Sequence, residues 1–195
     1  MHVIAFNGSP NKNGCTSTML RLCLDTMEHE GIHTELIHID NRLQSCRGCN
    51  ACRNGNRGRC VLDDPLNDWF ERICQADGLL LGSPTYFWGM HPSMKNLIDR
   101  VGYLARATLR AGENNNPLRH KVGAALAVDA FSGAPQTVQA MQTLFMVTQM
   151  IVPGAVYWPI AKASAPGREM RDVEGRRNVE DIGRQMAWLI KRLYA

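Results

Sequence analysis

Short apolar runs alternate along this chain with longer segments whose apolar residues recur every three or four positions. Val3-Ile4-Ala5-Phe6 is such a run, and it stops at Asn7-Gly8-Ser9-Pro10, the composition of a strand entering a turn. A helical pattern then extends from about Thr16 to Glu30. Thr34 to Ile39 reads as a second strand, and Leu66 to Gln75 as a helix with Pro65 in its first turn. Gly78 to Gly82 is apolar at its centre without alternation, the signature of a strand covered on both faces. Met94, Leu97, Ile98, Val101 and Leu104 predict a helix from about Pro92. Val122 to Val128 predicts the fourth strand, Pro135 to Gln149 a helix, and Ile151 to Tyr157 the fifth strand. Val179, Ile182, Met186, Leu189, Ile190 and Leu193 form the stripe of a closing helix.

Strand and helix therefore alternate throughout. That order predicts an α/β fold with a doubly wound, five-stranded parallel sheet. No repeat or long linker divides the sequence, so one domain over 1–195 is expected, with excursions at 41–64, 107–120 and 159–170. A chain of 195 residues can bury a sufficient core without disulfides. No stretch approaches the ~18 apolar residues of a membrane span, and the first strand starts at once with no signal peptide before it. A cytoplasmic protein is the expectation. The net charge of +4 is too slight to indicate nucleic acid.

In open α/β sheets, ligands bind beyond the carboxyl ends of the strands. Three unusual loops start there. The first runs through Ser9, Pro10, Asn11, Gly14, Thr16, Ser17 and Thr18, with no Asp or Glu before Asp25. Glycines, hydroxyls and a helix N-terminus suit a phosphate, although an ordinary capped turn has the same composition. Its glycine spacing is not that of a Walker loop, and no G-x-G-x-x-G is present. The second loop is Ser83-Pro84-Thr85-Tyr86-Phe87-Trp88, whose three consecutive aromatics call for a cover. A flat ring ligand, a subunit interface or a local core would each supply one. The third holds Asp129, Phe131, Ser132 and Gly133 after the fourth strand.

Four of the seven cysteines fall within residues 46–60, as Cys46-x2-Cys49-x2-Cys52-x7-Cys60. Such a compact run is the pattern of iron–sulfur ligation, whereas structural zinc more often uses two separated pairs. Free thiols packing a loop, zinc or a redox disulfide are the other readings. Arg47, Arg53, Arg57 and Arg59 would offset the charge of a thiolate-bound cluster. Cys15, Cys23 and Cys74 read as packing residues, Arg168, Arg171, Arg176 and Arg177 as a solvated face or a phosphate contact, and the scattered histidines as bland.

Gly8-Ser9-Pro10 with Gly14 and Thr16, and Ser83-Pro84, Tyr86-Phe87, Gly89, Met94-Lys95 and Ile98-Asp99-Arg100, resemble the NAD(P)H-dependent FMN reductase and iron–sulfur flavoprotein group. The resemblance spans roughly residues 2–160 and departs at Cys15, Trp88 and His91-Pro92. It implies a flavodoxin-like fold, FMN phosphate at the first loop, and the flavin ring at the second. It implies NAD(P)H as electron donor, a small-molecule or ferredoxin-like acceptor, and a homodimer or higher assembly. The cysteine spacing resembles the [4Fe–4S] motif of the same group. Asp99 and Arg100 are expected to support the helix and an interface.

Overall fold

The computed structural model describes residues 1–56, 58–107 and 116–194. Arg57 and most of the 107–120 excursion lie outside the described residues. The strands are β1 (His2–Asn7), β2 (His33–His38), β3 (Gly78–Tyr86), β4 (Gly89–Met90), β5 (Val122–Asp129) and β6 (Ile160–Lys162). The helices are α1 (Cys15–His29), α2 (Ala51–Asn54), α3 (Leu66–Gln75), α4 (Pro92–Ala107), α5 (Ala134–Val147) and α6 (Val173–Tyr194). Five strands form a parallel sheet in the order β2-β1-β3-β5-β6, and β4 adds an antiparallel turn onto β3.

Period-two alternation divides the core between two faces. Val3 and Ala5 of β1, Leu80 of β3 and Leu126 of β5 pack with Met19, Leu20, Ile182 and Met186 from α1 and α6. Ile4, Phe6, Leu79, Leu81 and Ala125 point the other way, onto Phe70, Leu97, Val101 and Phe145 from α3, α4 and α5. Both faces are covered, which is why β3 over 78–82 and β5 over 122–128 are apolar without a break. Strand order reverses between β1 and β3, and the loops after these two strands emerge side by side.

Three expectations need correction. The fifth strand is Ile160–Lys162, not 151–157. Ile151 makes only an isolated bridge to Val122 before the chain bulges away, because Pro153 has no amide to continue the ladder. It rejoins β5 when the Ala127 amide bonds the Pro159 carbonyl. Ser83 to Tyr86 belong to β3, which runs four residues past its apolar centre into the loop region. Finally, the cysteine-rich excursion carries the short helix α2.

Candidate functional site

The turn from β1 to α1 is built on Gly8. Its amide donates to the Gly82 carbonyl at 2.8 Å, and a Cβ at Gly8 would lie 2.7 Å from the Met94 Cβ. Only glycine lets β1, β3 and α4 meet this closely. Ser9 is 5% exposed; its amide bonds Asn7 Oδ1 at 3.0 Å and its Oγ accepts from the Asn11 amide at 3.1 Å. The turn is therefore rigid, and the Ser9 hydroxyl keeps its own proton to donate. Asn11 is exposed at its tip, and Gly14 closes it by donating to the Asn11 carbonyl.

From Gly14, α1 starts with no side-chain cap and no acid in its first turn. Its leading amides carry the positive end of the helix dipole. Thr16 and Ser17 are buried beside them, with no hydrogen-bond partner for either hydroxyl among the described residues. Thr18 is turned back, its hydroxyl bonding the Gly14 carbonyl. The loop fits a phosphate.

The fold adds a carboxylate that local sequence does not show. Glu169, in a 3-10 turn at Glu169–Arg171, is 3% exposed and packs against Cys15 and Thr18. Burial pushes its carboxyl up, but hydrogen bonding from its surroundings, backbone amides and Cys15 among them, outweighs this and holds it below its usual range. Burial and Glu169 together push the Cys15 thiol to about 11.

The aromatic segment is a hairpin between β3 and β4, with Tyr86 paired to Gly89. Phe87 (φ 46°) and Trp88 (φ 62°) both occupy left-handed conformations. A two-residue turn with both φ positive normally takes Asn-Gly. Two bulky aromatics there are strained, and such strain gathers at ligand sites. Phe87 is 97% exposed and Trp88 59%, while the Trp88 ring leans on Gly133, where a Cβ would lie 2.7 Å from Trp88 Cδ1. Phe131 is 87% exposed on the neighbouring loop beside Ser132. Thr85 leaves its Oγ1 buried without a partner among the described residues. The hairpin and the 131–133 loop thus present apolar walls and an orphaned hydroxyl, which suits the ring of an FMN.

Other residues expected at the site also have partners within the protein. The Ser83 hydroxyl is fully buried, donating to the Pro84 carbonyl and accepting from the His91 amide, both at 2.9 Å. Pro84 lies in the strand, paired with Val128. Asp129 is 3% exposed, with its carboxylate on the Ala134 amide (3.1 Å) and Lys162 Nζ (3.2 Å). Pro10 is exposed at the phosphate turn. Beside Trp88 opens a cleft of about 820 Å³, lined also by Ser132, Lys162, Arg168 and Arg171. Two of the four arginines of the basic run therefore face a cleft.

His91 is a residue that sequence reasoning passed over. Its Nδ1 meets Ser93 Oγ at 2.9 Å, and that hydroxyl donates to the Gly8 carbonyl at 2.8 Å. Its ring also packs edge-on against Tyr86. It thus ties the phosphate turn to the aromatic hairpin. Burial holds its pKa below the ordinary value, despite the opposing pull of Gly8.

All four cysteines of the 46–60 run line one cleft, together with Arg47, Arg100 and Tyr103. Gly48 (φ 65°) and Asn50 (φ 58°) are left-handed between them and curl the chain between successive thiols. Cys46 and Cys49 are exposed, Cys52 and Cys60 half-buried. Burial, then the nearby Cys60, pushes the Cys52 thiol up. Among the described residues, no three His, Cys, Asp or Glu side chains converge tightly enough for a single metal ion. The four thiols share the cleft wall without converging on one point. Arg53 stacks over Tyr103 at 4.7 Å, and Arg59 is paired with Glu71 at 2.5 Å. Cys23 is buried and Cys74 half-buried, as packing residues.

Residues 1–165 match the family described as NADPH-dependent FMN reductase. The chain is 35% identical to an iron–sulfur flavoprotein of Methanocaldococcus jannaschii, over 98% of both chains. It is 30% identical to an iron–sulfur flavoprotein of Methanosarcina thermophila, over 79% of this chain and 78% of that one. Among solved structures, RosB with bound 8-demethyl-8-formylriboflavin-5'-phosphate aligns over 99% of this chain and 80% of its own, with TM-score 0.74 at 17% identity. A flavodoxin, WrbA-like protein from Agrobacterium tumefaciens aligns over 98% of both chains, with TM-score 0.66 at 15% identity. These structural likenesses establish a flavodoxin-like fold. Among the described residues, no helix is long and apolar enough to cross a membrane.

Proposed function

The chain belongs to the NADPH-dependent FMN reductase family, and on that footing we propose an FMN-dependent oxidoreductase that passes electrons from NAD(P)H or a reduced protein donor to a small-molecule or protein acceptor. FMN, when bound, supplies the hydride and electron chemistry, while the protein orients it, tunes it and keeps water away. The observation that carries this reading is the strained Phe87-Trp88 hairpin standing beside the loop that follows β5. In the proposal Ser9, Thr16, Ser17 and the first amides of α1 hold the phosphate. Tyr86, Phe87, Trp88 and the 131–133 loop flank the ring. The cleft lined by Lys162, Arg168 and Arg171 together with Asp129, Asp172 and Glu174 is where the donor or acceptor approaches. A second copy of the chain covers part of the exposed aromatic surface, which light scattering on the purified protein checks.

The test is direct. Purified protein should be yellow, release about one FMN per chain in acid, and oxidise NAD(P)H in the presence of an artificial acceptor. Protein that neither carries nor takes up FMN would sink the reading.

The shared cysteine cleft favours a more specific second reading, an iron–sulfur flavoprotein that carries electrons with a ferredoxin-like partner. Cys46, Cys49, Cys52 and Cys60 would hold a [4Fe–4S] cluster, which supplies single-electron transfer when present. Anaerobic reconstitution should then load about four irons per chain. Iron near zero would leave the simple reductase.

A further inference from the structure

Arg100 lies on α4 and is 2% exposed, an unusual burial for a guanidinium. Among the described residues, every hydrogen bond it makes goes to the cysteine-rich excursion. Nη1 donates to the Gln44 carbonyl at 3.0 Å and to Asp64 Oδ2. Nη2 donates to Asp64 Oδ1 at 3.0 Å and to Cys60 Sγ at 3.1 Å. One side chain thus holds the start of the excursion, its end and its fourth thiol. Asp64 also accepts from the amides of Gln44 (3.0 Å) and Leu66 (3.2 Å). Asn67 fixes the backbone of Cys60 from both sides, accepting from its amide at 2.8 Å and donating to its carbonyl at 2.9 Å.

Among the described residues, Cys60 is the one thiol of the four with a side-chain hydrogen bond. Asp64 balances the Arg100 charge, so the pair adds no net charge to the cleft. What remains is an oriented N–H aimed at sulfur. Arg supplies this because its planar fork can clasp a carboxylate and still offer a further donor, which Lys cannot. Hydrogen bonds to ligand sulfurs tune a cluster, because reduction puts more negative charge on those sulfurs and strengthens the bond.

We propose that Arg100 is a positioning residue of the cysteine cleft: it holds Cys60 in place as a ligand and raises the reduction potential of the iron–sulfur cluster, a role that rests on the cluster reading above. Asp64 is its anchor, and the pair also fastens the excursion to the helix that meets the phosphate turn.

The full-length protein, reconstituted anaerobically with iron and sulfide, is to be compared with the double variant Asp64→Asn/Arg100→Met. That variant removes one charge of each sign, so no buried charge is left alone. Iron, FMN content, circular dichroism and the potentials of flavin and cluster are read on the same samples. The expectation is wild-type FMN content, an unchanged flavin potential and a cluster harder to reduce. Its oxidised-to-reduced ratio at the wild-type midpoint should rise about tenfold, roughly 59 mV for one electron. If the double variant fails to fold, Arg100→Lys, which keeps a charge opposite Asp64, should shift the cluster in the same direction. Folded, iron-loaded variants with the wild-type cluster potential overturn this proposal alone. Wild-type protein that takes up no iron overturns it together with the cluster reading.

Discussion

Ser9 combines two roles that one substitution can separate. Its Oγ accepts the Asn11 amide to set the turn, while its proton remains free to face an anion at the start of α1. Asp in its place keeps an acceptor for Asn11 but sets a negative charge where the phosphate is proposed to sit. Ser9→Asp should cost FMN binding on the order of 1–2 kcal/mol, roughly five- to thirtyfold. Fluorescence titration of the flavin-free protein reads this, and an equal loss of melting temperature without FMN would mean the turn itself had broken. His91 gives a second prediction at this scale. Its pKa is depressed in the folded protein, so the folded state favours neutral imidazole. That contribution is full above the unfolded pKa of about 6.5 and fades as pH falls through it towards the lower folded value. Melting temperature should drop between pH 7.5 and 5.5, and His91→Gln should flatten the drop. His2 and His38 are depressed too and keep part of the slope. Ser9, Thr16 and Ser17 were legible in sequence because they are contiguous. His91 and Glu169 were not, since their partners come from distant segments: Ser93, which His91 orients, bonds a carbonyl 85 positions away.

At the scale of elements, the hairpin of β3 and β4 invites a trade of ligand for stability. Phe87 and Trp88 occupy conformations that cost about 1–3 kcal/mol each, and their side chains are largely exposed. Phe87→Asn/Trp88→Gly installs the residues this turn prefers. The flavin-free variant should melt higher than the flavin-free wild type, by several degrees if the strain is relieved in full. It should also bind FMN at least tenfold more weakly, having lost an apolar wall. A variant that binds FMN like the wild type would remove the hairpin from the site. The aromatic run was visible in sequence, but its geometry was not, because two non-glycine residues in left-handed conformation contradict local preference. The displaced last strand was misread for the opposite reason. Residues 151–157 look like a strand locally, yet Pro153 cannot extend the ladder, and pairing with β5 resumes only at Ile160.

Across the whole molecule, α4 joins the two candidate sites. Its N-terminal Met94 fills the space left by Gly8, and Ser93 holds the Gly8 carbonyl, while Arg100 two turns later anchors the cysteine excursion. The loops proposed to hold FMN, however, are set by the ends of β1, β3 and β5, apart from the thiols. Metal removal should therefore act on one side only. If the cleft holds the proposed cluster, chelating it, or changing Cys46 to Ser, should leave FMN bound at wild-type stoichiometry while loosening residues 46–60. The reason is energetic: in this excursion the described regular structure is the four-residue α2, which buries no side chain, and its firm hold lies at the Asp64 end. Bound metal contributes its binding free energy to whatever must be ordered to hold it, and here that is the excursion. Arg47, Arg53 and Arg59 make the segment a ready substrate for trypsin once it opens. Iron-loaded protein should resist cleavage there, and iron-free protein should be nicked within 47–59 at least tenfold faster while the flavin spectrum persists. Mass spectrometry of the fragments locates the cut. Equal rates with and without iron would show that the excursion is held by Arg100 and Asp64 alone, and loss of FMN on chelation would show that α4 transmits the change to the phosphate turn.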